Sequence, residues 1–86
     1  MKVEKGKDGS FAIVGGAHRI ALTLAQYEDI FYALPQDNGT LYRLVNDTVL
    51  TSEPLRQTWK AMLDAGGGME PALSALQKAV LAVPPK

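Results

Sequence analysis

The chain has 86 residues, enough for one small domain and hardly for two. Nine basic residues balance nine acidic ones, so no net charge draws it to nucleic acid or to an anionic membrane, and a composition 47% hydrophobic and 21% charged excludes a disordered chain. Cysteine is absent, which removes disulfides, thiolate nucleophiles and thiolate metal sites together.

The opening "MKVEKGKDGS" has no apolar h-region, and no apolar run approaches the ~20 residues of a spanning helix. The expectation is a soluble cytoplasmic protein without membrane contact. A start at Met and an end on "VPPK" read as a whole small gene product. Residues 1–10 are expected to be flexible or an edge strand joined through Asp8-Gly9, a register that puts Glu4 awkwardly on the apolar face. Residues 11–14 and 17–22 then read as two strands around a Gly15-Gly16 turn, which sets Val14 opposite Ala17, Ile13 opposite His18 and Phe11 opposite Ile20. Phe11, Ile13, Ile20 and Leu22 share one face with His18; Ala12, Val14, Ala17, Arg19 and Ala21 share the other.

Thr23-Leu24-Ala25-Gln26 is a capping box, with Leu22 and Tyr27 spaced for a hydrophobic staple. Leu24, Tyr27, Ile30, Phe31 and Leu34 make a helical stripe that Pro35 ends, and "QDNG" reads as a turn. Residues 41–45 and 48–51 look like a second hairpin around Asn46-Asp47. A second helix is expected over 52–65, with Pro54 in its first turn and Leu55, Trp59, Met62 and Leu63 on one side. A glycine-rich loop over 66–70 follows. Pro71 then opens a third helix with an apolar stripe of Leu73, Leu76, Val80 and Val83 beside Ala72, Ala75, Ala79 and Ala82; residues 84–86 are a tail.

"IALTLAQYEDIFYAL" and "TVLTSEPLRQTWKAM" also align, so a duplicated ββα unit is a candidate. The expected architecture is a single α+β domain, 1–86, built β-hairpin–helix–β-hairpin–helix–helix (ββα-ββα-α).

No catalytic, cofactor-binding or metal set emerges. His18 lacks a second His or any Cys as a co-ligand. Gly15-Gly16 leads into a strand rather than a helix N-terminus, so it is read as a turn and not a phosphate cradle. Ser10, Ser52 and Ser74 stand outside a nucleophile elbow, and Glu28 and Asp29 read as a solvated face. The expectation is a non-enzymatic, cofactor-free module that contacts another protein, as adaptor, assembly factor or inhibitor, or that forms a homodimer. Candidate partner contacts are His18, Arg19, Tyr32, Tyr42, Arg43, Arg56 and Lys60. The alternative is a DNA-binding regulator presenting Arg56, Gln57 and Lys60 from the second helix, with nucleic acid disfavoured by the charge balance; a small enzyme ranks last. A phage or mobile-element origin would suit a chain of this size.

Overall fold

In the computed structural model, which describes residues 1–33 and 37–85, three strands come first in the chain: β1 (Lys2–Lys5), β2 (Phe11–Gly15) and β3 (His18–Leu22). They form an antiparallel sheet in the order β1-β2-β3. Four helices follow: α1 (Leu24–Tyr32), α2 (Asn38–Thr48), α3 (Glu53–Ala65) and α4 (Met69–Ala82). The chain is thus a small α+β domain, but its order is βββαααα rather than ββα-ββα-α.

Both strand registers are corrected by their turns. Between β1 and β2 the reversal uses the whole stretch 6–10, with Gly6 N–H donating to the Ser10 carbonyl at 2.7 Å and the Ser10 amide and hydroxyl donating to Asp8 Oδ1. Glu4 therefore pairs with Ala12 and Val3 with Ile13. A slip of one residue exchanges the faces of a strand, and this one moves Glu4 off the apolar side where an Asp8-Gly9 turn would have put it. Between β2 and β3 the turn residues are Gly16 and Ala17, not Gly15 and Gly16, because Gly15 pairs with His18 and Ile13 with Ile20. Gly16 takes the positive φ, +58°, that the first turn position needs. The shift amounts to two residues in pairing, so the expected faces survive it. Gly15 serves a different purpose: a Cβ there would lie 3.3 Å from Met62 Cβ, so its bare backbone lets α3 lie close against the sheet.

The second hairpin is overturned. Its residues belong to α2, begun by Asp37, whose carboxylate accepts from the Thr40 amide at 2.8 Å and the Thr40 hydroxyl at 2.7 Å. Leu41 and Val45, one turn apart, are buried together, with Val49 buried one turn further on. On a helix that spacing of four puts all three on one side, whereas a hairpin turning at Asn46-Asp47 would face Val49 away from Leu41 and Val45. Asn46 and Asp47 lie inside the helix, and Asn46 Nδ2 donates to the Tyr42 carbonyl at 2.8 Å. With no second hairpin, the proposed duplication falls. Leu34, Pro35 and Gln36, the expected end of the first helix and the start of "QDNG", lie outside the described residues, as does Lys86 of the tail.

The other helices follow their sequence signals. Thr23 caps α1 in a complete capping box with Gln26, at 3.1 Å and 2.9 Å for its two hydrogen bonds. Pro54 sits in the first turn of α3. The glycine loop is shorter than expected, 66–68, since Gly68 is the N-cap of α4 and Pro71 falls inside the first turn, where its missing N–H is not needed.

The helices α1, α3 and α4 cover one face of the sheet, and α2 packs against α1 and α4. Phe11, Ile13, Ile20 and Leu22 from the sheet meet Tyr27, Ile30, Leu41, Trp59, Met62, Leu73, Leu76 and Val80 in one core. The rings of Phe11 and Tyr27 stack at 4.0 Å between centroids. Each large side chain so buried contributes about 1.5–3 kcal/mol. On the open face Ala12 is buried beneath longer neighbours, where Glu4 lies 3.5 Å from Arg19 and 4.0 Å from Lys2. Among the described residues no helix is long and apolar enough to cross a membrane.

Candidate functional site

A notch of about 340 Å³ lies between α2 and α3. From α2 it takes Tyr42 and Asn46, one turn apart. From α3 it takes Glu53, Arg56, Gln57, Trp59, Lys60 and Leu63. The two helices are neighbours in sequence, joined by residues 49–52 whose Val49 and Leu50 are buried. Each then packs elsewhere, α2 on α1 and α4 and α3 on the sheet and α4, which leaves the space between them open to solvent.

The polar groups at the notch are partly tied. Glu53 accepts from Gln57 Nε2 at 2.9 Å and lies 3.8 Å from Arg56 Nε. Arg56 Nη1 also donates to the Leu50 carbonyl at 3.3 Å, so the guanidinium is held across the start of its own helix. Lys60, one turn further along α3, has no carboxylate within 4.0 Å among the described residues. The Tyr42 hydroxyl has no hydrogen-bond partner among them, although its ring packs against the core. Trp59 forms part of the wall. Its residue is 2% exposed, and its indole N–H is buried with no acceptor among the described residues. An orphan buried donor of this kind is uncommon.

The structure brings together three of the seven expected contact residues, Tyr42, Arg56 and Lys60, and adds Gln57 from the DNA-binding alternative. Arg43 is exposed on α2 without lining the notch, and helps hold the Asp37 carboxyl below its usual range, a shift due first to the two Thr40 hydrogen bonds. Tyr32 ends α1, 66% exposed, edge-on to Phe31 at 5.2 Å. His18 and Arg19 are exposed at the start of β3, and Arg19 is engaged with Glu4. A second, shallower hollow of about 260 Å³ lies beside the β2–β3 turn, lined by Met1, Lys2, Val14, Gly15 and Gly16.

Sequence reasoning missed Asn46, Glu53 and the place of Trp59 in the wall. Asn46 was read as a turn residue; only recognising α2 as a helix sets it one turn from Tyr42, on the same side. Among the described residues no group of three or more His, Asp or Glu side chains is placed to hold a metal ion. Comparison with protein-family models, curated proteins and solved structures found no match.

Proposed function

We propose that the chain is a non-enzymatic binding module that engages another protein through the notch between α2 and α3. The observation that carries this reading is the convergence of Tyr42, Arg56, Gln57 and Lys60 on one concave site with an aromatic wall. Tyr, Trp and Arg are the residue types that dominate binding energy at interfaces. Lys60 and the Tyr42 hydroxyl stand ready to contact a partner without first breaking an internal bond.

Capture from host extract tests it with paired variants of the full chain. Tyr42→Phe with Lys60→Gln should lose the partner, while His18→Ala with Arg19→Ala should keep it. The reverse pattern moves the interface to the β2–β3 turn and sinks the notch.

A DNA-binding regulator is the second reading, favoured by the short 49–52 connection that sets α3 after α2 as in a helix-turn-helix. Against it, the formal net charge is zero. Retention on a DNA column at low salt would favour that reading. Pairing of the exposed β1 or β3 edges across a homodimer is a further arrangement, which light scattering at two protein concentrations tests.

A further inference from the structure

We propose that the notch recognises a carboxylate side chain, a glutamate or aspartate flanked by an apolar residue, presented by an acidic segment of the partner; this rests on the binding-module reading above. Charge is the first argument. The lining holds two cations, Arg56 and Lys60, against one carboxylate, Glu53. In a chain whose formal charge sums to zero, this is a local positive excess at a concave site, where the field is focused.

Geometry is the second. Arg56 is oriented by the Leu50 carbonyl at 3.3 Å, and Lys60 follows it by one helical turn without a partner acid. The Tyr42 hydroxyl, across from them on α2, has a proton to donate. A carboxylate has two oxygens and about four acceptor sites, so it can take the ammonium and the phenol together while facing the guanidinium. Trp59 and Leu63 supply the apolar wall for the neighbouring residue.

Size and shape set aside nucleic acid as the occupant. A space of about 340 Å³ holds one or two side chains. A duplex is read by a convex helix entering a groove, which a concave notch does not present.

The chain has one tryptophan, so the indole N–H of Trp59 gives a single, unambiguous resonance inside the site. Labelled full-length protein would be titrated with a capped peptide of alternating glutamate and leucine, with its glutamine counterpart, and with a short DNA duplex. The acidic peptide should shift the Trp59 indole signal and the amides around Tyr42, Arg56 and Lys60 saturably. The glutamine peptide should bind at least fivefold more weakly, and Lys60→Glu, an exposed change with little effect on folding, should weaken the acidic peptide roughly five- to tenfold. Equal binding of both peptides, an unaffected Lys60→Glu, no response to the acidic peptide, or preferential binding of the duplex would each overturn carboxylate recognition. The capture experiment with Tyr42→Phe and Lys60→Gln stands apart from these results: a partner lost there while both peptides bind equally would retain the module and discard the acid.

Discussion

The Tyr27 hydroxyl donates a 2.6 Å hydrogen bond to the backbone carbonyl of Val83, at a separation of 56 residues, and approaches the Val80 carbonyl at 3.3 Å. The Val80 carbonyl also accepts from the Val83 amide at 3.1 Å, whereas the Val83 carbonyl lies at the C-cap of α4, past the helical ladder, so a side chain from α1 closes the helix end. Tyr27→Phe keeps the ring stacked on Phe11 and removes only the donor. It should cost about 1 kcal/mol in urea unfolding, the ordinary worth of one hydrogen bond, since the Val83 acceptor is only part-buried.

The same tyrosine predicts an alkaline effect. Burial pushes its phenol up to about 12 from 10, so the fold favours the neutral form. A raised pKa contributes stability that is whole below the unfolded value and drains away as pH climbs through the folded one. The stability gap between wild type and Tyr27→Phe should therefore be constant to about pH 10 and narrow between about pH 10 and 12, measured at matched ionic strength. A gap that stayed flat across that window would mean that the phenol is not buried as described.

Gly15 and Gly16 should respond to substitution for separate reasons. Gly15→Ala drives a methyl against Met62 and should destabilise by about 1–3 kcal/mol, with the loss reduced when Met62→Ala is added. Gly16→Ala meets only ordinary van der Waals contact, with Ala65 at 3.7 Å, yet the positive φ alone should cost roughly 1–2 kcal/mol. Unfolding of the two single variants and the Gly15/Met62 double variant separates crowding from backbone strain.

Asp37→Ala removes the N-cap of α2. The first turn of α2 should fray, and amide exchange at Thr40 and Leu41 should quicken while that in β2 is unchanged. The Asp37 carboxyl is held below its ordinary pKa, first by the Thr40 hydroxyl and amide and then by Arg43, so the ionised form is the one the fold prefers. Its contribution is whole above the unfolded pKa and is lost as pH falls through the depressed one, so acid should lower the protection of the same amides relative to their intrinsic exchange rates.

Arg19→Ala breaks an ion pair whose side chains are 59% and 46% exposed, and should shift stability by less than about 1 kcal/mol. A larger loss would mean that the cover over Ala12 carries more of the sheet than its exposure implies.

Much of this was legible where local chemistry and tertiary packing agree. Thr23 and Gln26 specify their cap within four residues, and the 3.6-residue stripe through Trp59 and Met62 leaves no competing period. Residues 41–51 are different. Leu41, Tyr42, Val45, Thr48 and Val49 have strand propensity, Asn46-Asp47 is a favoured turn pair, and each of these local preferences yields to burial of Leu41, Val45 and Val49 against α1 and α4. The strand registers were missed for a different reason: the turns decide them, through the Asp8–Ser10 hydrogen bonds and the positive φ of Gly16, and two adjacent glycines do not say which of them opens the turn. The notch inherited both limits. Its α3 half could be read from charge and helical spacing, but its α2 half needed the helix that the sequence disguises.

The sheet's strands are consecutive, whereas two of the three helices that cover its apolar face, α3 and α4, follow only after α1 and α2. During synthesis the face bearing Phe11, Ile13 and Ile20 emerges before α3 and α4 and waits for them. At ordinary elongation rates that wait is roughly 3–12 s. Between β3 and α4 the nascent chain therefore carries an uncovered apolar face, the interval in which it is most open to misassociation.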